Sequence, residues 1–264
     1  MSAAKNKSKR NATVQQPKPW GLIFTFVGVG VLALAIILGS VYIVRDSGEA
    51  PEGTVSFYDD YEGGTELRKA LEAGDVEAED LSHPQVAQRT HIDPGTYVDY
   101  GQYPPVGGDH YPQWQQCNGV VYNGAIDNRH AVHSLEHGAV WVTYDPEELS
   151  EDDVSTLAVK VDGRDATMMS QYPDQGSPVS VQAWGFQLTV DSADDERIEE
   201  FMDRFARASD NTMEPGAVCS RGNKTVVDQP QPDPPEEDGE SDDEADNSEE
   251  NESADDASEE EDNA

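Results

Sequence analysis

Residues 20–44, WGLIFTFVGVGVLALAIILGSVYIV, are 25 consecutive positions without a charge, and no other feature of this chain restricts its architecture as strongly. At a helical rise of 1.5 Å per residue the run is long enough to cross a hydrocarbon layer of about 30 Å, so it predicts a single transmembrane helix. Trp20 and Tyr42 stand near its two ends, where amphipathic rings favour the headgroup level. Lys5, Lys7, Lys9, Arg10 and Lys18 all precede it, which places residues 1–19 on the cytoplasmic side and everything after Arg45 outside. A cleaved signal peptide has a similar layout, but its apolar core is only about 7–15 residues long and is followed by an A-x-A site. Neither holds here, so the run reads as a retained signal anchor in the plasma membrane.

Thiols oxidise outside the cytoplasm. The chain has two cysteines, Cys117 and Cys219, both beyond the predicted span. An isolated pair in that compartment is most simply a disulfide, with two separate free thiols as the rival. Closing a loop of about 100 residues would restrict the unfolded chain by roughly 4–5 kcal/mol in the entropic account.

Charge separates the folded part from its ends. All 54 acidic residues follow position 45, and the last 37 residues hold 19 of them with no base. Residues 228–264 also lack aromatics, so they have too little to bury to offset their ordering entropy and are expected to be a disordered acidic tail. The remaining 35 acids face 11 bases over residues 46–227. That surface repels phosphate backbones and anionic lipid, which excludes nucleic acid as a partner. A metal ion or another extracytoplasmic protein stays open. Such a surface suits high salt, where self-repulsion is screened over a few ångströms.

The pattern between these ends predicts a linker at 45–63 and an α+β domain at 64–227, with a small mixed or antiparallel sheet of three or four strands and two or three helices. Thr65, Leu67 and Leu71 suggest a short helix, and Pro and Gly punctuate residues 75–112 too often for long regular elements. GAVWVTY (138–144) reads as a buried strand. Ser150 caps a helix carrying Val154, Leu157, Ala158 and Val161, and residues 166–172 and 179–190 read as two further strands. A last helix, 194–208, puts Ile198, Phe201, Met202 and Phe205 on one stripe. Phosphate-binding glycine loops are absent: no lysine and no helix pattern follows Gly107-Gly108.

Five blocks, PPVGGDH (104–110), CNGVVY (117–122), HSLEHGAVWVTY (133–144), AWG (183–185) and MEPGA (213–217), resemble those of the family catalogued as domain of unknown function 3105. The resemblance covers roughly residues 83–222. It implies a membrane-anchored protein of actinobacterial type and no particular reaction. The family's first block is similar to P-P-T-S-G-x-H; Val106-Gly107 replaces Thr-Ser here, while His110 is retained.

The chemistry lies in His133-Ser-Leu-Glu136-His137. As an H-x-x-E-H zinc-hydrolase stretch it would use His133 and His137 as ligands and Glu136 as base, with Glu214 as a third ligand. That needs a helix, yet Gly138 and a β-branched run follow at once, so the motif sits at a helix-to-strand junction at best. The second reading is a metal site without hydrolysis, in which His110, His133 and His137, with Glu136 beside them, hold zinc or copper; Met168, Met169 and Met213 are soft donors for Cu(I). A third is structural: Glu136 and His137 bond each other, with His110 packed among Tyr111, Trp114 and Tyr122. His83, His91 and His130 read as surface residues. Ser134 and Ser170 lack a G-x-S-x-G context, and the expected disulfide would tie up the cysteines, so nucleophilic catalysis is the weaker reading. Taken together, the sequence favours a binding or assembly module, with or without a metal, over an enzyme.

Overall fold

The computed structural model describes residues 48–231, together with Phe24 and residues 26–36. Phe24 and residues 26–36 are helical, with exposed side chains. Among the described residues no helix is long and apolar enough to cross a membrane; the rest of the run 20–44, residues 1–19 and residues 232–264 lie outside them.

The domain is α+β and built on one mixed six-stranded sheet. Its strands are β1 (Val55–Ser56), β2 (Asn118–Ala125), β3 (Val140–Tyr144), β4 (Thr167–Gln171), β5 (Val179–Ala183) and β6 (Phe186–Val190). They lie in the order β1-β6-β5-β3-β4-β2. β4 is parallel to both β3 and β2, whereas β3–β5, β5–β6 and β6–β1 are antiparallel. The helices are α1 (Gly64–Ala73), α2 (Asn128–Glu136), α3 (Glu151–Val161) and α4 (Arg197–Phe205), with single 3₁₀ turns at Ala78–Asp80 and Pro84–Val86.

The sheet centre follows from its side chains. All five residues of β3 and all five of β5 are buried, as the uninterrupted run VWVTY predicts for a strand covered on both faces. α3 starts where Ser150 predicts, in a full capping box with Asp153, and buries Leu157 and Val161. α4 buries its whole stripe, Ile198, Phe201, Met202 and Phe205.

Four expectations need correction. The sheet has six strands and the domain four α-helices, more than the pattern suggests. Residues 179–190 are two strands, because the chain reverses at Trp184-Gly185. Gly185 has φ +70°, and a Cβ there would fall 2.2 Å from the Tyr58 ring, so only glycine fits. The linker ends earlier than residue 63: β1 pairs with β6, and Phe57 and Tyr58 are buried, the Tyr58 hydroxyl donating to the Trp184 carbonyl. Residues 228–231 likewise belong to the domain. The Pro230 carbonyl accepts from Asn128 N–H, and the Gln231 side chain bonds Asn128 and the Val98 carbonyl.

Cys117 and Cys219 form the expected disulfide, with their Cα atoms 4.6 Å apart. It joins the start of β2 to the segment after α4, where Cys117 N–H also donates to the Cys219 carbonyl.

Candidate metal centre

The H-x-x-E-H stretch lies on a longer helix than its neighbours suggest. α2 begins at Asp127, whose carboxylate accepts from Arg129 N–H, and runs to Glu136 with eight of its nine residues buried. It ends in a Schellman turn: Gly138 N–H donates to the Leu135 carbonyl and Ala139 N–H to the Ser134 carbonyl. Gly138 takes φ +85°, which turns the chain directly into β3. His133 and Glu136 therefore project from the last helical turn, and His137 is the cap residue.

His110 reaches them from the loop before β2. Its main chain is bridged to the residues around His91: His110 N–H donates to the Thr90 carbonyl and Ile92 N–H to the His110 carbonyl. The bridge brings the His91 and His110 rings to 5.1 Å and stacks His91 on His133 at 5.0 Å. The His133 ring is also 4.8 Å from His110 and 4.6 Å from His137. The expected surface position of His91 is thus only half right: the residue is exposed, but its ring joins the cluster. His83 packs edge-on against Phe57, and His130 bonds the Gln113 carbonyl; both are half-buried and outside the cluster.

Three of these imidazoles are oriented in the same way. Nδ1 of His110 lies 2.8 Å from the Gly108 carbonyl, Nδ1 of His133 lies 2.6 Å from that of Tyr111, and Nδ1 of His137 lies 2.9 Å from that of Val218. A carbonyl only accepts, so each Nδ1 carries the proton and each Nε2 is turned to the inside. His110 Nε2 faces Glu136 Oε2 at 3.0 Å, and His137 Nε2 faces Glu214 Oε2 at 3.4 Å. The expected Glu136–His137 bond is not made. Glu136 instead pairs with His110 and with Arg89, whose Nη1 is 3.3 Å from Oε1.

Two overlapping groups of ligand atoms result. Those of His91, His110, His133 and Glu136 all lie within 4.8 Å of one another, and so do those of His133, His137 and Glu214. Because Nδ1 of His133 is committed to Tyr111, its single remaining nitrogen serves one group at a time.

Burial keeps the shared ligand neutral. Desolvation pushes His133 down to about 4, with His110 and His137 adding to the effect against the Tyr111 hydrogen bond. His137 is lowered for the same reason, against the pull of Val218 and Glu214. For Glu136, burial favours the neutral acid, but the His110 hydrogen bond and the His110 and Arg89 charges outweigh it and hold the carboxyl below its ordinary value.

The remaining expectations divide. His110 packs beside Trp184, not Tyr122, and Trp114 lies against His133 and His137. Met168 and Met169 are fully buried in β4, and Met213 packs against Gly64. Ser134 donates to the Gln115 carbonyl as a structural group.

No curated protein and no solved structure matches the chain. The part that carries every residue of both ligand groups, residues 91–221, matches the family model described as a protein of unknown function (DUF3105), and the motif resemblance holds to that extent.

Proposed function

We propose that the domain binds one transition-metal ion, zinc or copper, through His91, His110, His133 and Glu136, and presents it outside the cytoplasm from a single membrane anchor. The observation that carries this is the meeting of His110 Nε2 with Glu136 Oε2 at 3.0 Å while His110 Nδ1 is held by a carbonyl. In a neutral imidazole so fixed, Nε2 and the carboxylate are both acceptors. Either a second proton or a cation must stand between them. Imidazoles whose far nitrogen is tied to the main chain are the usual form of histidine ligands, and three nitrogens with one oxygen suit zinc or copper. The uncharged run at 20–44 and the oxidised cysteine pair support the location.

A second reading, zinc-dependent hydrolysis, is favoured by the gathering of His133, His137 and Glu214. These are the three ligands the H-x-x-E-H stretch requires, and three donors leave a position for water. Against it, Glu136, the base in that scheme, is held by His110 and Arg89.

Metal titration of the full chain separates the two. With four donors, His91→Ala and His110→Ala weaken zinc binding more than about a hundredfold, beyond the usual cost of losing an outer partner, and Glu214→Ala leaves it nearly unchanged. With three, Glu214→Ala carries the loss, and Glu136→Gln abolishes peptide hydrolysis. A wild-type chain that takes up neither zinc nor copper overturns both and leaves a structural histidine–glutamate network.

A further inference from the structure

Arg89, the partner of Glu136, also lines a pocket of about 300 Å³ between α1 and the turn at Pro84–Val86. Its floor is apolar: Leu67 and Val86 are each 1 % exposed, Met213 is 5 % exposed, and Leu71 borders them. Two arginines, Arg68 and Arg89, are among its lining residues. This is unusual in a chain with 17 bases against 54 acids.

Among the described residues neither guanidinium is saturated. Arg89 donates there once, to Glu136. Arg68 donates from Nη1 to the Met213 carbonyl at 3.3 Å, and its Nε is 3.9 Å from Glu72, a long and solvent-exposed pairing. Each planar fork has five N–H donors and matches the two oxygens of a carboxylate. A bare anion would leave the Leu67, Val86 and Met213 surfaces unused. An uncharged apolar molecule would leave the remaining N–H donors of both arginines to water.

We propose that this pocket binds a small monocarboxylate with a short apolar tail, its carboxylate between Arg68 and Arg89 and its tail on Leu67, Leu71, Val86 and Met213. The volume is that of about ten waters at ~30 Å³ each, which fits a short-chain or medium-chain acid. Glu72 also lines the pocket, so a second negative charge on the ligand is repelled and phosphates and dicarboxylates are disfavoured. The proposal does not rest on the metal reading: Arg89 is shared with Glu136, while the other pocket residues named here lie outside both ligand groups.

The test is isothermal titration of the full chain with hexanoate. One saturable site is expected, with affinity lowered about tenfold or more in Arg68→Gln, the loss of one charge-assisted pair. Arg68 lies on the half-exposed face of α1, so this variant should melt with the wild type, and Arg89→Gln gives a second measure of the same loss. Acetate, hexanol and inorganic phosphate should each bind more weakly by a similar factor. Absence of a saturable hexanoate site in the wild type, hexanol or acetate binding as tightly as hexanoate, or Arg68→Gln binding unchanged would each overturn the proposal.

Discussion

Strands β3–β6 with α3 and α4 bury Trp141, Val142, Leu157, Val181, Leu188 and Phe201 behind continuous hydrogen-bonded ladders. The segments that close over α2, roughly residues 83–116 and 211–231, are fastened differently. Isolated main-chain bridges, His91–His110, Gln115–Asn223 and Ala125–Val227, hold them together with side-chain bonds such as Trp184 Nε1–H to the Val86 carbonyl, Arg129 to the Thr96 carbonyl, the Ser134 hydroxyl to the Gln115 carbonyl and Gln231 to the Val98 carbonyl, with the disulfide as the one covalent tie. Yet every ligand residue lies in these segments or at the end of α2. A sheet built on continuous ladders thus carries a layer fastened by isolated bridges and side-chain bonds, and that layer holds the chemistry. The contrast implies that stability and metal binding can be perturbed separately.

The largest effect should come from reducing Cys117–Cys219. The bond closes 102 residues of sequence separation, so its loss should lower unfolding free energy by roughly 4–5 kcal/mol in the entropic account. Hydrogen exchange should show where. Amides at 213–223, the segment whose Val218 carbonyl orients His137, and at 114–118 should lose protection first, while β3–β5 keep theirs. Equal loss in the central strands would mean that the two layers are one cooperative unit and the comparison is wrong.

Acid should act on the same layer. A histidine held down at about 4, against an ordinary 6.5, takes up its proton more readily in the unfolded chain. The unfolded state therefore binds more protons between these values, so stability is present above pH 6.5 and is lost as the pH falls towards 4. For a shift of this size the loss is roughly 3 kcal/mol in the metal-free chain. His137, also lowered, adds in the same sense, and Glu136 continues the loss below its ordinary value. Denaturant unfolding between pH 7 and pH 4 measures the slope, and His133→Gln should remove most of it. A slope unchanged in that variant would place the acid sensitivity elsewhere.

The two layers also differ in how much of them can be read from the sequence. β3, β4, α3 and α4 are legible because continuous apolar runs, a capping serine and a one-sided stripe are local signals. The turn at Trp184-Gly185 is harder to see, since apolar residues run through it and its glycine is required by contact with Tyr58, 127 positions away. α2 hides its period because it is buried almost all round, so no polar face marks it. His110, His133, Glu136 and His137 announce themselves by clustering in a short stretch or in a motif. His91 does not: it joins through a main-chain bridge to His110, and nothing beside it in the sequence points there.

The smallest predicted effect tests the comparison from the sheet side. Ser150 N–H and Oγ–H both donate to Asp153 Oδ2, at 3.1 and 2.6 Å, and Ser150 Oγ accepts from Asp153 N–H at 3.2 Å. Ser150→Ala removes the hydroxyl from both sides of this box and leaves a first-turn N–H of α3 to water. A cap of this kind is worth about 1 kcal/mol, and its partial exposure keeps the cost at that level. α3 packs on the sheet through Leu157 and Val161 and supplies no ligand residue. Ser150→Ala should therefore lower the denaturation midpoint slightly while zinc affinity and the acid slope stay at their wild-type values. If metal binding weakened along with the cap, the sheet and the ligand layer would be coupled through β3 and Gly138, and the site would depend on the packing of the whole domain.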